Sequence, residues 1–273
     1  MPDPERWRLI WHPCGDGTWN MAVDEAILEA AAAGRVLPTL RLYGWEPACL
    51  TIGYAQKVSA FDLARLRQDG YGFVRRPSGG RAVLHRNELT YCLCTPQDDP
   101  RVRGGVAESY RSLSHGFWRG LEMLGTCAEV AQEPRAKRGK DVSAACFDIA
   151  SRHELTVRGK KVVGSAQWRH NGGVLQHGSI PLGGDVSEIV DYLSLPPDAK
   201  ERARRLLRGR AATASEALGR SVSFAELGEA ICKGLEQAMG LRWFVSALTA
   251  EEAERAHQLQ REKYGTEEWN ARL

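Results

Sequence analysis

Apolar positions along this 273-residue chain follow two periods. Short runs such as RWRLIW (6–11), TLRLYG (39–44) and CLTIGY (49–54) have the alternating or continuous apolar character of strands. Segments with apolar residues three and four apart read as helices. One is MAVDEAILEAAAAG, capped by Thr18 or Asn20 and ended by Gly34; another spans about 107–124. Ser59 is the expected N-cap of a helix running to about Gln68, closed by Gly70. Residues 71–96 alternate short β-type runs around RRPSGGRAVLHRNELTY, and 132–142 has no periodicity and reads as a loop. Three short strands follow in ELTVRGKKVVGSAQWRHNGGVLQHGSIPL, where Gly172-Gly173 and Gly183-Gly184 suit hairpin and strand-end backbone. After Asp185 the period becomes helical near 186–194, 199–208, 212–219 and 223–239, before a strand at 241–245 and a terminal helical region. The pattern predicts an α+β fold with a helical C-terminal subregion.

Length places the chain near the size at which a single core stops growing, so one large domain or a domain with an appendage is expected. No apolar run approaches the ~18 residues of a membrane span. The N-terminus MPDPERWRLIW is charged and lacks a signal peptide's apolar stretch, which predicts a cytoplasmic protein without membrane attachment. The seven cysteines are then reduced thiols, and Cys92-x-Cys94 lacks zinc-ligand spacing, so no metal site is expected. A net charge of +3 without a nucleic-acid-binding motif gives no reason to expect a nucleic acid partner.

Three stretches carry candidate chemistry. In Arg75-Arg76-Pro77-Ser78-Gly79-Gly80-Arg81, glycines beside a hydroxyl and guanidinium groups let the backbone approach a ligand; an ordinary basic β-turn has the same composition. In 157–179, Lys160-Lys161, Gly164-Ser165-Ala166 and His177-Gly178-Ser179 lie on strand-like runs. Adjacent lysines on a strand face opposite sides, so only one of that pair can face a pocket, and His177 is equally a structural histidine. Cys146, in ACFD, lies outside any apolar strand. It is either a small buried thiol or a nucleophile whose pKa a nearby ammonium lowers, and Lys161 lies 15 residues on.

Taken together, NMAVDE (20–25), PTLRLYG with LTIGYAQ, RRPSGGRAVLH with NELTY, ACFD, GKKVVGSAQ, LQHGSI and, near the end, EKY with WN resemble the lipoate/biotin protein ligase superfamily. The likeness covers nearly the whole chain in the family's order and is strongest to its LipM-type octanoyltransferases. It implies mixed, mostly antiparallel sheets flanked by helices, with a catalytic domain over 1–219 (core about 33–219) and a mainly helical extension over 220–273. It also implies Cys146 as the acyl-accepting nucleophile and Lys161 as its activator. Arg76, Ser78, Gly79, Gly80, His85, Gly164, Ser165, Ala166, His177 and Gly178 then surround the acyl substrate. LipB-type enzymes place their cysteine directly after the His-Gly element, where this chain has Ser179.

The implied reaction moves octanoyl from octanoyl-acyl carrier protein to a lysine of the glycine-cleavage H protein or another lipoyl domain, with no ATP or metal. ATP-dependent lipoate ligation, amidotransfer between lipoyl domains and non-catalytic carrier binding are the alternatives. Leu42, Leu50, Ile52, Val74 and Val163 suit either an acyl tunnel or plain core. The basic runs 200–210 and 135–140 suit acidic carrier proteins, and Glu251, Glu252 and Glu254 read as a solvated acidic face.

Overall fold

The computed structural model describes residues 5–126, 128–130 and 155–272; Cys146 and the stretch 132–142, with its basic run, lie outside them. Strand β1 (Arg6–Trp11) leads into helix α1 (Gly17–Ala32). Its N-cap is Asp16, whose carboxylate accepts from the Trp19 amide at 2.9 Å, rather than Thr18 or Asn20. Asn20 is instead buried, donating from Nδ2 to the carbonyls of Gly15 and Gly44. Strands β2 (Thr39–Tyr43) and β3 (Cys49–Ile52) follow. Ser59 lies within a 3-10 turn, Val58–Ala60, and it is Asp62 that caps helix α2 (Leu63–Gln68), accepting from Arg65 N at 3.0 Å.

Strands β4 (Gly72–Arg75), β5 (Val83–His85) and β6 (Glu88–Pro96) flank the arginine-glycine loop. Then come α3 (Val106–Met123), β7 (Ala128–Val130), β8 (Leu155–Val157), β9 (Lys160–Lys161), β10 (Gly164–His170) and β11 (Gly173–Pro181). Asn171 and Gly172, both at positive φ, turn β10 into β11 as the Gly pair predicted. The rest comprises α4 (Pro197–Arg210), α5 (Ala214–Leu218), α6 (Phe224–Met239), β12 (Arg242–Val245), α7 (Ala250–Leu259) and α8 (Glu267–Asn270). Among the described residues, no helix is long and apolar enough to cross a membrane.

The main sheet has the order β10-β11-β6-β2-β1-β12, and two smaller sheets are β4-β3-β5 and β7-β8-β9. β1 pairs in parallel with β2 and β12, and β3 with β4; the other pairings are antiparallel, so the α+β, mostly antiparallel expectation holds. β6 is covered on both faces, which is why its sequence is nearly continuously apolar. Leu89, Tyr91 and Leu93 face the core built with α3 and α6, while Cys92 and Cys94 face the core built with α1. Leu42 and Val163 belong to the first of these cores, Val74 to the second, and Leu50 and Ile52 to a third beneath α4. All five lie in the core, and none lines the site pocket.

Helices α3 and α6 cross at glycines. A Cβ on Gly234 would stand 2.3 Å from the Gly116 carbonyl oxygen and 2.4 Å from the Gly120 nitrogen, both backbone atoms that cannot swing away. Gly234→Ala is therefore expected to lower stability by about 1–3 kcal/mol in urea unfolding; a variant as stable as the wild type would mean the helices separate freely. The C-terminal segments close the other face. Glu252, placed by sequence on a solvated patch, is buried because it completes the α7 capping box with Thr249 and receives Arg8 Nη1 at 2.8 Å. Glu251 and Glu254 are exposed as expected.

Candidate active site

The loop between β4 and β5 is fastened from below. Arg75 points away from the pocket and donates through Nη1 to the carbonyls of Gly53, Tyr54 and Gln56 at 3.2, 3.0 and 2.7 Å. Its amide and carbonyl are held by Asn270 Oδ1 (2.8 Å) and Trp269 Nε1 (2.9 Å) of α8. Arg76 donates to Thr51 Oγ1 at 2.7 Å and to the carbonyls of Gly79 and Arg81 at 3.1 and 2.9 Å, folding the loop around its own guanidinium. The loop lies so close to the end of β3 that a Cβ on Gly53 would be 2.1 Å from the Gly80 oxygen, and Gly80 itself has a φ of +92°. Only glycine fits that pair of positions.

This loop forms one wall of an apolar pocket, contributing Arg76 and Gly80, with Val83 and His85 from β5. Gly164, Ser165 and Ala166 of β10 and His177, Gly178 and Ser179 of β11 form the facing wall. Met21, Tyr43, Trp45 and Thr90 complete it. Eight of the ten residues expected around the acyl group thus line one cavity. Ser78 stands behind it, bonded to His177, and Gly79 is exposed on the loop surface. Gly178 has no room for a side chain, since a Cβ would fall 2.4 Å from the Gly164 oxygen and 2.6 Å from the Tyr91 ring.

Two buried carboxylates organise the polar atoms. Asp24 of α1 receives Arg41 Nη1 at 2.6 Å and the Tyr43 hydroxyl at 2.8 Å, and faces His177 Nδ1 at 3.5 Å. Burial acts to raise the Asp24 pKa, but the Arg41 charge with the His177 and Tyr43 donors outweighs it and holds the carboxyl below its ordinary range. Burial, reinforced by the Arg76 charge, keeps His177 below the usual histidine range despite Asp24. A neutral imidazole offers Nδ1–H to Asp24, so Nε2 accepts from the Ser78 hydroxyl at 2.6 Å. Glu88 gathers His85 Nδ1 (2.6 Å), Ser179 Oγ (2.6 Å) and the Thr90 hydroxyl, while Trp45 stacks on the His85 ring at 4.0 Å. Ser179, where LipB-type enzymes carry cysteine, thus has its hydroxyl committed to a carboxylate. Sequence reasoning missed Asp24, Arg41 and Glu88 as site residues; an acid within the apolar run MAVDEAI was the available signal.

Lys161 lies on β9, three positions before Gly164, and is buried, whereas Lys160 is half-exposed, as strand alternation requires. Its carbonyl accepts from Ala212 N at 3.0 Å. Lys161 is not itself a pocket-wall residue. Of the cysteines, Cys49, Cys92, Cys94 and Cys232 are buried and Cys14 is exposed. Burial pushes the Cys49 and Cys92 thiols up, and Cys232 to about 12, so these three are poor thiolates.

The lowered histidines give a pH signature. His177, and half-buried His12 at about 4, release protons on folding. The unfolded chain therefore binds more protons below an ordinary histidine pKa of about 6.5, and stability falls as pH drops through that value. Thermal unfolding should be level from pH 8 to 7 and decline from about 6.5 toward 5, with His177→Gln reducing the decline. A level wild-type profile down to pH 5 would overturn this.

A loop pinned by two arginines thus faces paired strands across an apolar slot. Residues 16–236 match the lipoyl protein ligase A/B catalytic domain, and the chain belongs to that family. Over 98% of its length it is 45% identical to octanoyltransferase LipM of Kyrpidia tusciae, covering 99% of that protein. It is 43% identical, with the same coverage, to octanoyltransferase LipM of Brevibacillus brevis. Its fold is similar to that of a bi-partite lipoate protein ligase from Thermoplasma acidophilum, with a TM-score of 0.81 at 23% identity over 97% of this chain and 96% of that one. It is likewise similar to a lipoate-protein ligase A bound with ATP, with a TM-score of 0.78 at 24% identity over 97% and 98%.

Proposed function

We propose that this chain is an octanoyltransferase of lipoate synthesis, acting through an acyl-thioester on Cys146. The observation that carries the reading is the 45% identity, along essentially the whole chain, to a protein named octanoyltransferase LipM. The apolar slot supports it: burying an octanoyl tail contributes roughly 5 kcal/mol before ordering costs, at ~0.8 kcal/mol per methylene. The donor is octanoyl-acyl carrier protein and the acceptor a lysine of the glycine-cleavage H protein or another lipoyl domain.

In the first step the Cys146 thiolate attacks the donor's thioester carbonyl. A carbon–sulfur bond to Cys146 forms, the bond to the carrier breaks, and the carrier's thiolate leaves with a proton. In the second, the acceptor's neutral amine attacks the octanoyl-enzyme, an amide forms, and Cys146 departs as thiolate. Lys161 lowers the Cys146 pKa and moves the proton between steps. The exchange of thioester for amide is downhill and requires neither ATP nor a metal. The Arg76–Gly80 loop stabilises the oxyanion neighbourhood. Basic α4 steers an acidic carrier: Arg204 and Arg208 are paired with Asp191 and Asp185 at 2.5 Å each, while Arg202, earlier on the helix, is exposed.

Incubation with octanoyl-acyl carrier protein, followed by intact-mass analysis, should show one octanoyl adduct that disappears when H protein is added. Transfer only from free acid with ATP would replace this reading by lipoate ligation. Transfer only from an octanoylated lipoyl domain would replace it by amidotransfer.

A further inference from the structure

Val83 borders two cavities. On one side is the acyl pocket, where Val83 lies two residues from His85 and so on the same face of β5. On the other is a separate cleft against Ala82, Val83 and Leu84, whose far side is formed by residues after β11, Ile189, and Leu207 of α4. Successive strand residues point to opposite faces, so a cavity touching three in a row runs along a strand's edge. β5 is the edge strand of its sheet. Val83 is the residue the two cavities share. Glu88 lines the cleft and binds His85, Thr90 and Ser179 of the pocket wall. The acyl pocket is narrow, about 40 Å³ of free space against about 320 Å³ in the cleft. Extra room for a longer chain therefore lies across Val83.

We propose that Val83 sets acyl-chain length by walling the acyl pocket off from this cleft. The inference rests on the octanoyltransferase reading. Shortening the side chain opens a path toward Val186, Ile189 and Leu207, the apolar part of a cleft whose rim also carries Arg86, Asp185 and Glu188. Lengthening it closes the pocket further.

The test is a competition. Wild type, Val83→Ala and Val83→Phe each receive an equimolar mixture of hexanoyl-, octanoyl- and dodecanoyl-acyl carrier protein with H protein, and product masses are counted. Each methylene that gains the cleft is worth about fourfold, from ~0.8 kcal/mol. The dodecanoyl-to-octanoyl ratio is therefore expected to rise at least about tenfold in Val83→Ala. The hexanoyl-to-octanoyl ratio is expected to rise in Val83→Phe. Ratios come from one preparation, so a partly unfolded variant still reports through its active fraction, and the two substitutions report independently. If wild type transfers octanoyl and neither ratio moves, the wall does not set length and the proposal is overturned. If wild type transfers no chain at all, the underlying reading of function has failed instead.

Discussion

Cys146→Ser is expected to lower octanoyl transfer by about 10⁴-fold or more and to abolish the thiol-labile octanoyl adduct, while leaving the unfolding midpoint unchanged. A serine hydroxyl at ordinary pKa is a far weaker nucleophile than a thiolate, and any ester it formed would resist thiols. Among the described residues, the other cysteines offer little replacement. Cys49, Cys92 and Cys232 are buried and held protonated, and Cys14→Ser serves as the exposed-thiol control, expected to retain wild-type rates. Lys161→Ala should lower transfer at neutral pH by about 10²–10⁴-fold. Part of that loss should return at alkaline pH, because a thiol without its ammonium neighbour ionises only near its ordinary pKa of about 8.5. A Cys146→Ser variant that still forms a thiol-labile adduct would move the nucleophile elsewhere.

Asp24→Ala carries the largest expected cost in stability, about 3–5 kcal/mol. The carboxylate is buried against Arg41, which is itself fully buried, so truncation strands a guanidinium without its counter-charge. Arg41 would retain Asn20 Oδ1 at 2.7 Å and His12 Nδ1 at 2.9 Å, both neutral acceptors. Tyr43 would lose its acceptor and His177 the partner of Nδ1. Urea unfolding measures the loss, and a variant within about 1 kcal/mol of wild type would show the pair contributes little. The double variant Asp24→Ala/Arg41→Met should be more stable than Asp24→Ala alone, because removing the second charge removes the unpaired one. Since the Asp24 pKa is lowered on folding, its contribution is complete above the unfolded value of about 3.9 and is lost as pH falls below it.

The elements were largely legible because the main period signals are strong. The helix expected at about 107–124 forms at Val106–Met123, and the strand expected at 241–245 forms at Arg242–Val245. Errors arose where short polar side chains had competing uses. Asp16 outcompeted Thr18 and Asn20 as a cap because Asn20 was needed across the sheet at Gly44, a contact 24 residues distant. The pocket-wall residues from the two glycine-bearing stretches were recognisable as motifs. Their convergence was not, since it depends on the register that sets Gly164 opposite Ser179 and Ser165 opposite Gly178. Asp24, Arg41 and Glu88 escaped for the same reason: single charged residues in apolar runs acquire meaning only when the facing strand is known.

The clasp of α8 on β4 has a consequence for how the protein is made. Asn270 holds the Arg75 amide across 195 positions of sequence, and Glu252 holds Arg8 across 244. Neither contact can form on a ribosome-bound chain until those late residues have emerged. The loop ahead of β5 therefore depends for its support on residues distant in sequence. Contacts of such long range slow folding and leave nascent intermediates with an unfinished site. Before α8 docks, the loop that forms one wall of the apolar pocket lacks the Asn270 and Trp269 contacts that hold Arg75.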